Sequence, residues 1–242
     1  MWVLMGQDNE LKNIDTTSMY LRTEAVISKE KLEKLKNAKV LICGVGGVGS
    51  YALEALARIG IGNIYILDKD IVEPSNINRQ LVASWYTLGM AKAEVGAVHV
   101  ETVNPKCNVV SYVEYINPAN VDKYITKDLD YVIDAIDSID SKIAVIAKCK
   151  ELSVKIISSM GMGNRMDPTK IKISDISKTT MCPLARLVRK RLKDIGITKL
   201  KVVFSDEEAI KTPDKKIGSL PFVPSVAGLY MAYEVVKDII NE

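Results

Sequence analysis

Residues 40–49 read Val40-Leu41-Ile42-Cys43-Gly44-Val45-Gly46-Gly47-Val48-Gly49. Four apolar residues ended by a glycine have the length and character of a strand buried on both faces. Gly44, Gly46 and Gly49 then fill a G-x-G-x-x-G spacing, and residues 51–59 take up helical periodicity before Gly60. Strand, glycine turn and helix in that order make a nucleotide-binding unit. The missing side chains let the backbone turn tightly and approach a phosphate, and the helix N-terminus adds N–H donors. Gly47 lies within the same cradle. Asp68 closes the next strand, 64–67, at the distance where an acid accepts from ribose hydroxyls. The fingerprint names no particular nucleotide and leaves an NAD-dependent oxidoreductase open. Its structural alternative is glycines that serve only strand–helix packing.

Outward from this unit the chain alternates. Helical patterns fit residues 28–37 (Ser28 as N-cap), 91–103, 119–125, 139–152 and 183–194, and strand patterns fit 109–113, 131–133, 154–157, 171–173 and 202–204. Such alternation predicts an α/β fold of the Rossmann-like, doubly wound kind, with a mainly parallel sheet and helices on both faces. The 242 residues are 48% hydrophobic and 26% charged, enough apolar material for a sizeable core. We expect a single domain over 1–242, with 1–18 as a flexible arm, 165–242 as its substrate-facing part, and a mobile charged stretch at 205–219. The apolar run 217–240 is broken by Pro221 and Pro224 and carries Glu234, Lys237 and Asp238. It is too short for a membrane span and reads as a buried helix from about Ser225. Nothing at the N-terminus has the apolar centre of a signal peptide. Cys43, Cys107, Cys149 and Cys182 form no C-x-x-C pair, which argues against a paired-cysteine zinc site and for reduced thiols in a cytoplasmic protein. His99 is the only histidine, so no two-histidine mechanism is available.

The segment after the second strand separates the nucleotide classes. It reads Asp68-Lys69-Asp70-Ile71-Val72-Glu73-Pro74-Ser75-Asn76-Ile77-Asn78-Arg79-Gln80. This run resembles the D-x-D-x-V-x-x-S-N-x-x-R-Q pattern of the ubiquitin-activating superfamily, the ThiF-like adenylating enzymes. Gly89-Met90-Ala91-Lys92 is similar to that family's phosphate-binding lysine loop, and Asp134-Ala135-Ile136-Asp137 to its D-x-x-D. The resemblance implies ATP as co-substrate and adenylation of a carboxylate. Both reactants are anionic, so such a site must neutralise charge without itself attacking. Arg79 and Lys92 suit the phosphates, Asn76 and Asn78 can hydrogen-bond nucleotide without adding charge, and Asp137 suits Mg²⁺. Asp70 would position the metal or Arg79. A Ser-Asn-x-Asn run is also ordinary turn chemistry, and Asp134 could equally be a structural cap. Upstream, Met19-Tyr20-Leu21-Arg22-Thr23-Glu24 resembles the family element whose arginine enters the neighbouring subunit's site. That implies a homodimer with Arg22 acting in trans.

In the second half, Asp167-Pro168-Thr169, the 171–176 strand, Lys178-Thr179, Pro183-Leu184-Ala185 and the closing 222–228 segment resemble the tRNA threonylcarbamoyladenosine dehydratases. The resemblance implies that the threonyl carboxylate of the modified adenosine is adenylated, that the carbamoyl nitrogen closes a hydantoin ring, and that tRNA is the partner. Eight basic residues between Lys178 and Lys201, against Asp194 alone, suit a tRNA backbone, although a charge run is also what a solvated helix face looks like. The alternative is an activator of a ubiquitin-like or sulfur-carrier C-terminus. Cys182 would then be a thioester or persulfide carrier instead of a bystander. A monovalent cation and a sulfur-relay partner stay open.

Overall fold

The computed structural model describes residues 15–213 and 216–241. Most of the expected arm therefore lies outside the described residues, and its last two belong to a 3₁₀ turn, Thr17–Tyr20. Two helices follow, α1 (Leu21–Ile27) and α2 (Lys29–Asn37), the second capped by the Ser28 hydroxyl. Then come β1 (Lys39–Cys43), α3 (Gly49–Ile59), β2 (Asn63–Leu67), α4 (Lys92–Val103), β3 (Asn108–Tyr112), the short α5 (Val121–Tyr124) and β4 (Tyr131–Asp134). The chain continues through α6 (Ile139–Leu152), β5 (Lys155–Ser159), β6 (Ile171–Asp175), α7 (Pro183–Asp194), β7 (Lys201–Ser205) and α8 (Phe222–Ile240).

The strands form one seven-stranded sheet in the order β3-β2-β1-β4-β5-β7-β6, parallel except where β6 runs against β7. The β1 strand shows why its sequence is uniformly apolar. Val40 and Ile42 enter the cluster packed by α3, α4 and α8, while Leu41 and Cys43 enter the one packed by α6 and α7. Alternate side chains leave opposite faces of a strand, so covering both faces demands apolar residues at every position.

The final helix begins at Phe222, three residues before the expected start. Pro224 sits in its first turn, where the missing N–H has no helical partner to lose. A Cβ on Gly228 would stand 2.2 Å from the Val48 carbonyl oxygen, so glycine is what lets α8 lie against the glycine loop and α3. Among the described residues, no helix is long and apolar enough to cross a membrane.

Strand order reverses between β1 and β4, and there the crossovers leave in opposite directions. A crevice must open at the carboxyl ends of these two strands. Register brings the ends level: Cys43 lies opposite both Leu67 and Asp134.

Candidate active site

A cavity of about 580 Å³ occupies this crevice. Gly44, Gly46 and Gly47 form one wall. Gly44 has φ +88°, and a Cβ there would meet the Ala135 carbonyl oxygen at 2.9 Å, so only glycine lets the loops after β1 and β4 touch. Gly49 is outside the wall. Its role is packing, since a Cβ would fall 1.8 Å from the Gly44 carbonyl oxygen.

Asp68 is buried beside the glycine loop. Its carboxylate accepts from the Val45 and Asp70 backbone N–H groups, both at 2.8 Å. Burial pushes its carboxyl above the ordinary aspartate value, against those two donors and the nearby Lys92 charge. Each oxygen keeps a lone pair for a ligand hydroxyl. Beyond Asp68 the chain makes an excursion and returns on itself through an antiparallel bridge of Ile71 with Ala91. The return delivers Lys92, 5% exposed, to 3.2 Å from the Asp70 carboxylate inside the cavity wall.

Arg79 also lines the cavity, steadied by the Ser75 carbonyl (2.8 Å) and the Asn78 side-chain oxygen (2.7 Å). Asn76 and Asn78 themselves are not in the wall. The Asn76 side-chain oxygen accepts from the Glu73 N–H, closing a turn, and the Asn78 amide holds the Ser219 carbonyl at 2.9 Å. Asp137 stands exposed at the rim and makes no ion pair or hydrogen bond among the described residues. Arg22, exposed on α1, is not in the wall of its own subunit's cavity.

The two open readings of neighbouring residues close. Asp134 is fully buried and bonded to Lys142 at 2.7 Å, while its other oxygen accepts from Ile136 N–H; it is structural, fixing the loop that ends at Asp137. Cys182, expected in a loop, is buried, and its sulfur caps α7 by accepting from Ala185 N–H at 3.4 Å. All four cysteines are buried. No cysteine or histidine lines the cavity.

Several wall residues escaped the sequence reading. Tyr115 hydrogen-bonds Ser138 at 2.9 Å, and Lys69 lies 4.9 Å from its ring. The Ser138 and Ser141 hydroxyls and the Lys69 charge pull its phenol below the usual tyrosine value. Met162, Gly163, Ile217 and Ser219 close the far side. The stretch expected to be mobile is tied down where it is described: Asn164 accepts from Ile210 N–H (2.7 Å) and donates to the Gly218 carbonyl (2.8 Å). The local signal for a loop there is the pair of glycines in Gly161-Met162-Gly163-Asn164.

The cavity thus joins a phosphate cradle to three cations (Lys69, Arg79 and Lys92) and four carboxylates (Asp68, Asp70, Glu114 and Asp137), with no thiol or imidazole in its wall. Comparison with known proteins agrees. The model of the ThiF family matches residues 20–242. A tRNA threonylcarbamoyladenosine dehydratase of Bacillus subtilis is 42% identical over 241 residues, covering 92% of this chain and 95% of that one. Its Escherichia coli namesake is 42% identical over 178 residues, covering 73% of this chain and 66% of that one. The crystal structure of E. coli tRNA N6-threonylcarbamoyladenosine dehydratase, TcdA, in complex with ATP superposes with a TM-score of 0.88 at 35% identity, covering 93% of this chain and 94% of that one. With nearly the whole described chain inside these matches, this protein belongs to the ThiF family.

Proposed function

We propose that the protein is an ATP-dependent tRNA threonylcarbamoyladenosine dehydratase. The observation that carries this reading is the joining of a glycine cradle, Arg79 and Lys92 in a cavity whose wall holds no cysteine to form a covalent carrier. The threonyl carboxylate attacks the α-phosphate of ATP, and pyrophosphate leaves. The carbamoyl nitrogen then attacks the activated carbonyl, loses its proton and expels AMP, which keeps one carboxylate oxygen. The modified adenosine is lighter by one water. Attack within one molecule gains a high effective concentration, so the protein's task is orientation and charge neutralisation.

The residues divide this task. The Gly44 and Val45 N–H groups are spent on Leu67 and Asp68, which leaves the N–H groups of the Gly46-Gly47 segment for the phosphates; Lys92 supplies a buried positive charge, and Arg79 a steadied guanidinium. Asp68 receives the ribose. Asp137, exposed and without an ion pair or hydrogen bond among the described residues, offers a carboxylate to Mg²⁺ alongside phosphate oxygens, whereas Asp70 is already engaged by Lys92. The ion would neutralise phosphate charge.

Two further proposals complete the reading. The α8 helix is apolar on a second side: Phe222, Leu229 and Tyr233 are exposed at helical spacing, opposite its buried stripe. A helix apolar on both sides is covered on both sides, and a second copy of the chain is the cover that also lets Arg22 enter a neighbour's cavity. The α7 helix carries the basic face for tRNA. A tRNA substrate and buried, unpaired cysteines fit a cytoplasmic location.

The deciding experiment incubates the protein with ATP, Mg²⁺ and tRNA bearing threonylcarbamoyladenosine and weighs the digested nucleosides. Loss of one water with AMP formed is expected. An unchanged nucleoside, with pyrophosphate exchange appearing only on addition of a ubiquitin-like protein, would move the chain to carrier activation.

A further inference from the structure

Gln80 follows Arg79 in the wall of the cavity, yet its side chain makes no hydrogen bond among the described residues. It is 7% exposed. Its side-chain oxygen is sealed from solvent and has no partner among the described residues. Its amide nitrogen stands beside the glycine cradle, 3.8 Å from where a Cβ on Gly46 would be. The backbone, by contrast, is fixed at both ends: the Gln80 N–H donates to the Asn76 carbonyl and its carbonyl accepts from Ala83 N–H, each at 3.0 Å.

A sealed amide oxygen without a partner is costly and rare in a native protein. Packing does not require one here, since methionine fills the same volume without polar atoms. Retention of an amide in that position is explained by a partner that arrives with the ligand. The terminal torsion of glutamine is soft, so the group can turn toward the cavity while the backbone stays still. Next to Gly46 the ligand offers phosphate oxygens as acceptors and ribose hydroxyls as donors. An amide serves either, and adds no charge to a place already holding Arg79 and Lys92.

We propose that Gln80 is a nucleotide-binding residue, whose side-chain amide hydrogen-bonds the phosphate–ribose portion of bound adenylate beside Gly46. This rests on the adenylation reading above, and its test is arranged so that the two can fail separately.

ATP binding is titrated calorimetrically with Mg²⁺ on the full chain, and ATP–pyrophosphate exchange is followed with the modified tRNA. The variants are Gln80→Met, Gln80→Asn (which keeps the amide but withdraws it by one methylene) and Lys92→Ala. Without nucleotide, Gln80→Met melts at or above the wild-type temperature, because a sealed orphan has been removed. ATP affinity of both Gln80 variants falls about tenfold. A structural role would move the two readouts together; a binding role moves them apart. ATP affinity within about twofold of wild type in both variants, while Lys92→Ala loses exchange, would overturn the Gln80 proposal and leave adenylation standing. Exchange unaffected in Lys92→Ala as well would sink both. Should Gln80→Met fail to fold, Gln80→Asn decides alone: folded with normal ATP affinity, it refutes the proposal.

Discussion

At the scale of single residues, Lys142 carries a charge into the core. Both it and Asp134 have side chains at 0% exposure, 2.7 Å apart. All three ammonium protons find acceptors, the others being the Ser159 carbonyl at 3.0 Å and the Ser158 hydroxyl at 3.2 Å. Ser158 in turn donates to Asp134 at 2.5 Å. The pair is tolerable only because it is complete. Its purpose is geometric: Asp134 pins Ile136 N–H, and Ala135 to Ser138 line the cavity. Lys142→Met should therefore cost about 3–5 kcal/mol of stability in urea unfolding and weaken ATP binding, by stranding a buried carboxylate. Adding Asp134→Asn should recover part of the loss. A cost below about 1 kcal/mol would show that the pair is not coupled as described.

At the scale of elements, α7 connects the proposed tRNA face to the cavity. Its Ala185, Val188 and Leu192 are buried against the sheet. Arg189 is spent on the Ile176 and Thr179 carbonyls and the Thr179 hydroxyl, and Arg191 pairs with Asp140 at 2.9 Å. Arg186, Lys190 and Lys193 are left exposed at i, i+4 and i+7. The helix starts next to the cavity's far wall: Arg165 donates to the Met181 carbonyl at 2.9 Å, and Cys182 sulfur lies 3.6 Å from a Cβ placed on Gly161. Reversing the three free charges with Arg186→Glu, Lys190→Glu and Lys193→Glu should raise the KM for tRNA at least about tenfold and reduce its logarithmic salt dependence by about three. Binding of ATP should not change. An unaltered KM for tRNA would remove α7 from the interface.

The whole molecule is proposed to act as a pair, with Arg22 of one copy serving the cavity of the other. Lys92→Ala and Arg22→Ala homodimers should each be nearly inactive. Refolded together, they form mixed dimers in which one cavity contains both defects and the other neither, so roughly a quarter of wild-type activity should return. No recovery, with mixed dimers demonstrated by mass, would rule out action in trans. A monomer in solution near 26.7 kDa would rule out the pair itself.

What the sequence determined alone was whatever depends on residues close together in the chain. The glycine turn, Ser28 as a cap, and α6 and α7 to their end residues are all local, because turn chemistry and helical or strand periodicity act within a few residues. Tertiary structure decided the rest. Cys182 looks like a loop thiol until the sheet and α7 close over it. Lys142 reads as an ordinary helix lysine, and only the meeting of β4, β5 and α6 makes it a buried partner of Asp134 and Ser158. Asn76 and Asn78 share a motif with Arg79, yet backbone direction sends their side chains into turn and strap contacts outside the cavity. Ser219 reaches the cavity wall through a hydrogen bond spanning 141 positions of the chain. Burial and partnership are properties of packed surfaces contributed by distant segments, and no local pattern encodes them.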